Sequence, residues 1–175
     1  MYSVQRETLS PGRPIRYRLC DDNGKTLYTA ERSEELFNLD QHLQFLDSAG
    51  GLAARLMPPR GRNIWSATSA YKLVLTDETK AHFTIEQIYS LVDRLLLRLP
   101  HYHLRVSEAR YKARGSRHGE HFYELFDNKD HYLGQIERLV HGPTFSIEGE
   151  PSPLMQMPLL LAALVIVIDL ADTDN

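Results

Sequence analysis

With 175 residues the chain is sized for one domain, and it is long enough to bury a core without disulfides or a structural metal. Apolar residues at 42% and charged residues at 25% exclude a disordered or fibrous chain, and a formal net charge of −3 removes the overall basicity expected of a nucleic-acid binder. Cys20 is the single cysteine, so an internal disulfide is excluded; with no apolar leader in MYSVQRETLSPGRPIRY, the chain reads as cytoplasmic.

Residues 1–14 are read as an N-terminal extension ahead of a single domain over 15–175. Within that domain four stretches share one pattern: an apolar residue, a spacer, another apolar residue, a spacer, Asp, then a turn. They are Tyr17-x-Leu19-x-Asp21, Leu43-x-Phe45-x-Asp47, Leu73-x-Leu75-x-Asp77 and Tyr123-x-Leu125-x-Asp127. Three positions beyond each Asp stand Gly24, Gly50, Lys80 and Asp130. Alternation of period two marks strands with one buried face. Asp closes a turn on its own backbone, and Gly accepts a positive φ. Each unit therefore predicts a β-hairpin.

Between the third and fourth units the rhythm changes. In FTIEQIYSLVDRLLLRLP the apolar residues Ile85, Ile88, Tyr89, Val92, Leu95, Leu96 and Leu99 fall at helical spacing. Thr84 and Gln87 have capping-box spacing, and Pro100 stops the run, so the pattern predicts an amphipathic helix over 85–98. Further strands are expected in 101–111 and 143–149.

The chain then reaches MPLLLAALVIVIDLAD, in which Leu159 to Ile168 contains no polar side chain. Ten residues of helix cover about 15 Å, half of the roughly 30 Å of hydrocarbon in a bilayer. No Lys or Arg follows Arg138 to anchor an end. The segment is too short to span a membrane. Pro158 suits a first helical turn, and length favours a helix over 158–172, with a fully buried strand as the alternative. A helix apolar on every face needs protein around it on every side.

The succession of YRLCDDNGKTLY, LQFLDSAGGLAARL, YELFDNKDHYLGQIERL, PTFSIEG and LLLAALVIVIDLA resembles the LURP-one-related family and, more remotely, the tubby C-terminal and phospholipid-scramblase domains. The resemblance runs over roughly residues 15 to 172. It implies a mainly β fold, a closed antiparallel barrel wrapped around a hydrophobic C-terminal helix. The helix at 85–98 departs from that pattern, since the family has strands there. It also implies a non-enzymatic binding or regulatory module that holds phospholipid (phosphoinositide) headgroups or a protein partner on its outer surface. No cofactor is implied.

The densest basic stretch is EARYKARGSRHGEH, with Arg110, Lys112, Arg114 and Arg117. If 110–114 is extended, the first three cations share one face and could meet phosphate oxygens. The same residues also read as strand-edge charges that discourage aggregation. Arg55, Arg60 and Arg62 form a weaker second cluster with the same two readings. A different chemistry is suggested by His101-x-His103 with Glu108 behind it, which resembles the first metal motif of the cupins. Two His at i and i+2 on a strand point to one face and could ligate a divalent metal. The motif's upstream Gly is replaced by Leu95, and no second half-motif frames His118, His121, His131 or His141. The bland reading is a pair of surface histidines. Cys20 precedes Asp21 and Asp22 and reads as a small apolar residue near a strand end, so nucleophilic catalysis has little support.

Overall fold

The computed structural model describes residues 1–7, 15–32, 42–59, 68–76, 82–89, 93, 96, 98–115, 122–139 and 143–173. The strands are β1 (Tyr2–Glu7), β2 (Arg16–Asp21), β3 (Thr26–Arg32), β4 (Leu43–Asp47), β5 (Leu52–Met57) and β6 (Thr68–Leu75). They continue with β7 (His82–Ile88), β8 (His101–Val106), β9 (Ala109–Gly115), β10 (Phe122–Asp127), β11 (Tyr132–Arg138) and β12 (Thr144–Gly149). One helix, α1 (Pro158–Thr173), follows. Every strand pairs antiparallel with its sequence neighbour, and β1 pairs with β12, so the sheet closes on itself.

Period-two patterning explains which side chains enter the lumen. Tyr17 and Leu19, Ala54 and Leu56, Tyr71 and Leu73, Tyr102 and Leu104, and Tyr123 and Leu125 are buried, while the residues between them are not. Twelve strands about 4.8 Å apart and tilted about 40° close at a radius of roughly 12 Å. That radius accommodates one helix about 10–12 Å across and a layer of inward side chains. The helix is there: Leu160 to Ile168 are buried without exception, between walls that include β1, β2 and β6. Leu154 and Met155, just ahead of Pro158, are buried as well. The alternation of Ala30, Ala54 and Ala113 with Tyr17, Phe45 and Tyr102 on the inner wall lets large and small residues interlock with the helix. A gap among Val4, Tyr17, Leu19, Tyr28, Ala30, Phe45, Ala162 and Ile166 is too narrow for water. Among the described residues the interior is packed rather than open.

The repeated hairpin turn is one backbone device used three times. Asp21 Oδ1 accepts from the N–H groups of Asn23 (3.0 Å) and Lys25 (2.9 Å). Asp47 Oδ1 accepts from Ala49 and Gly51, both at 2.8 Å. Asp127 Oδ1 accepts from Lys129 (2.7 Å) and His131 (2.9 Å). In each case the register shifts just before the Asp, at Leu19/Cys20, Phe45/Leu46 and Leu125/Phe126. The residue three places on has a positive φ: 76° at Gly24, 83° at Gly50 and 63° at Asp130. The fourth expected turn, with Asp77 and Lys80, lies outside the described residues, although β6 and β7 flank it as the pattern requires.

These turns all sit at one end of the barrel, together with the β8–β9 turn. The opposite end carries the longer connections and a different fastening. There Asp169, only 1% exposed near the end of α1, accepts from Arg6 Nη1 of β1 at 3.2 Å and from the Tyr17 hydroxyl of β2 at 2.7 Å. Burial and then the Asp169 carboxylate push the Tyr17 phenol far above its usual pKa, which keeps it a donor. A carboxylate near a helix C-terminus opposes the helix dipole, and α1 has no basic residue in its last turn. Arg6 supplies the missing positive charge from the wall.

Two expectations are corrected. Residues 82–88 form β7 in place of the first turn of a helix over 85–98, because Phe83 and Ile85 fill the inner wall in register with Val106 and Leu104 of β8. Most of the rest of that span lies outside the described residues. The N-terminal extension begins the barrel instead: Tyr2–Glu7 form β1, which pairs with both β2 and β12 and closes the wall.

Candidate functional site

The lumen is lined by apolar side chains, and among the described residues a polar cluster spans β7 to β11 on the outer wall. Register aligns Glu86, His103, Lys112, Phe126 and Tyr132 in one row across five strands. A second row runs through His101, Arg114, Glu124, Gln135 and Glu148, and a third pairs Arg105 with Arg110. The period-two expectation for Arg110, Lys112 and Arg114 holds: Tyr111 and Ala113 between them are buried, and the three cations point outward. Arg117, His118 and His121 lie outside the described residues, as do Arg60 and Arg62; Arg55 is exposed on β5.

The cations differ in what they touch. Lys112 Nζ donates to Asp130 Oδ1 at 2.9 Å, and Arg114 Nη2 donates to the same oxygen at 2.7 Å. The Arg114 guanidinium also lies 5.1 Å from the centre of the Phe126 ring, a cation–π distance. Phe126 meets Tyr132 edge to face at 6.1 Å, and Tyr132 is 48% exposed. Arg105 donates to Glu86 at 3.1 Å. Arg110 is exposed and makes no ion pair among the described residues.

Electrostatics divide this wall into two strips. The hydrogen bond from Lys112, and then the charge of Arg114, hold the Asp130 carboxyl below its usual pKa. Next to this basic strip lies an acidic one: partial burial, with the carboxylates of Glu124, Glu148 and Glu150, raises the Tyr132 phenol. Partial burial, helped by Lys112, Arg105 and His101, lowers the His103 pKa against the pull of Glu86. His103 is therefore neutral near pH 7.

The metal-ligand alternative does not assemble. His101 and His103 share the outer face of β8, but Glu108 sits in the two-residue turn beyond Val106, where Ser107 has φ 51°. Three more strand residues at about 3.3 Å each separate His103 from that turn. Among the described residues no group of three His, Cys, Asp or Glu side chains is placed to hold a metal.

Three contributors were missed in the sequence: Arg105, Asp130 and the Phe126–Tyr132 pair. Arg105 had a signal, since it continues the His101, His103 alternation. Asp130 had none beyond its place in the turn.

The outer wall bears on membranes too. Among the described residues no helix is long and apolar enough to cross one. A membrane-spanning barrel faces lipid with apolar residues and keeps a polar interior. Here Arg16, Arg18, Lys72, Glu86, Arg105 and Glu124 take outward positions, and the interior is apolar. The polarity is reversed. Comparison of the chain with known family models, curated proteins and solved structures finds no match.

Proposed function

We propose that this protein is a non-enzymatic binding module, of the LURP-one and tubby-like type, that holds an anionic phospholipid headgroup on the outer wall of β8–β10. The observation that carries the reading is the convergence of Lys112 Nζ and Arg114 Nη2 on a single oxygen. Two cations that meet at one carboxylate oxygen have the geometry to meet a phosphate oxygen in its place. Arg110 stands free on the same face to take a second one. Phe126 and the exposed Tyr132 beside the cations favour a membrane surface over a dissolved anion, because aromatic rings of this kind settle at the headgroup level. Among the described residues the lumen is packed with side chains, which favours an outer site over a central one.

Sedimentation with vesicles tests the reading. Binding is expected to phosphatidylcholine vesicles that carry a phosphoinositide, not to phosphatidylcholine alone, and to fall steeply with added salt. At about 1 kcal/mol per cation near an anionic surface, the Lys112→Ala/Arg114→Ala double variant should bind about thirtyfold more weakly. Salt-independent binding, or a double variant that binds as wild type does, rejects the proposal.

A further inference from the structure

The three Asp turns are built alike, yet they differ at the position of positive φ. Two of them place Gly there, Gly24 and Gly50, and a Cβ added at either would touch nothing within 4 Å. The third places Asp130, at φ 63°. Asp enters the left-handed region less freely than Gly but tolerates it, and the two counterpart turns form with no side chain at this position. Its closing hydrogen bond, Asp130 N–H to the Asp127 carbonyl, is 3.3 Å long, against 3.0 Å at both Gly24 and Gly50. What the Asp130 side chain does instead is reach across to β9. Its Oδ1 occupies the single point on which Lys112 and Arg114 converge.

We infer that Asp130 is a built-in competitor for the anion cradle of Lys112 and Arg114, so that an arriving phosphate must displace this carboxylate before it can bind. The inference rests on the headgroup reading of that cradle and adds its regulation. Asp130 is more than half exposed on a turn, so it can swing into solvent without disturbing the barrel. It can hold the cradle closed against weak anions and yield to a multiply charged one. Of the three turns, the one beside the cradle is the one that carries a carboxylate at this position.

Asp130→Gly restores the residue used by the other two turns, so the variant is expected to fold with an unchanged thermal midpoint or a slightly raised one. Its binding to phosphoinositide vesicles should rise about tenfold over wild type, with Asp130→Asn intermediate. Asp22→Asn, which makes the same change of net charge in the β2–β3 turn, should leave binding within about twofold of wild type. Adding Lys112→Ala and Arg114→Ala to Asp130→Gly should erase the gain. An equal gain from Asp22→Asn, or a gain that survives loss of both cations, would overturn the inference while leaving headgroup binding in place. A parallel titration with inorganic pyrophosphate separates the sources: a gain there, without vesicle binding by any variant, supports the competitor and overturns the headgroup reading. No gain with either probe overturns the competitor.

Discussion

The two ends of the barrel are fastened by different kinds of chemistry. At one end three hairpins close themselves alike: an Asp carboxylate takes two backbone N–H groups within four residues, and the register shifts by one at the same place in all three. At the other end a buried carboxylate of α1 is tied to two side chains more than 150 residues away. Repetition of a local device gives many small, exposed and mutually independent closures. A single long-range contact gives one closure on which the seating of the helix depends. The difference is one of concentration: the turns spread their stabilisation, and the Arg6–Asp169–Tyr17 group gathers it.

The comparison can be broken at several strengths. The largest effect should come from the lumen that joins the ends. Leu164 is fully buried, and Leu164→Asp places a carboxylate there without a partner. The cost is on the order of the whole 5–15 kcal/mol stability of a domain, so soluble folded protein should be absent by size-exclusion chromatography and circular dichroism. Recovery of a folded, soluble variant would show that the helix is not encased. Next comes the latched end. Arg6→Ala takes the Arg6 cation away from the buried Asp169 carboxylate and leaves the Tyr17 hydroxyl donor, which should cost about 3 kcal/mol in urea denaturation. The triple variant Arg6→Met/Tyr17→Phe/Asp169→Leu, which leaves no hydroxyl orphaned, should regain most of that loss, since well-packed apolar replacements are often neutral. At the turn end, Gly50→Ala forces a side chain into φ 83° and should cost about 1 kcal/mol, with no effect on the other turns. A loss as large as that of Arg6→Ala would erase the distinction between the ends.

The smallest effect concerns pH. Partial burial lowers the His103 pKa in the folded state below the ordinary 6.5, so the unfolded chain binds the proton more readily. His103 therefore adds nothing to the pH dependence well above pH 6.5 and draws stability down as the pH falls below it. His103→Gln should flatten the urea midpoint measured between pH 7 and pH 5. A midpoint that falls equally in both proteins would assign the acid sensitivity elsewhere.

The sequence made local features legible and long-range ones opaque. The Asp turns could be read because donor, acceptor and left-handed position all lie within five residues. The enclosed helix could be read because a run from Leu159 to Ile168 without a polar atom admits few surroundings. Strand β7 was misread because Ile85 and Ile88 also fit a helix that the Leu-rich stretch after them suggests, and Thr84 with Gln87 imitates a cap. Its true constraint, register against Val106 and Leu104, comes from another strand. Strand β1 was missed for a similar reason: Val4 is its one fully buried residue, and its partners lie in β2 and in the distant β12. On the candidate site, alternation put Arg110, Lys112 and Arg114 on one face, but nothing in their own stretch indicated that the carboxylate of a later turn would lie on two of them.

The seam between β1 and β12 sets an order of events for a chain that emerges from the ribosome. Its first strand has one neighbour within reach at once, β2, while the other edge must wait until almost all of the wall has been synthesised. Closure of so long a loop is slow compared with the closing of any hairpin. During that interval the sheet is an open trough whose greasy concave side has no occupant, and the plug that will occupy it follows the final strand. The nascent chain is thus most exposed to clumping after β12 and before α1. A stall in translation between β12 and α1 would leave it there.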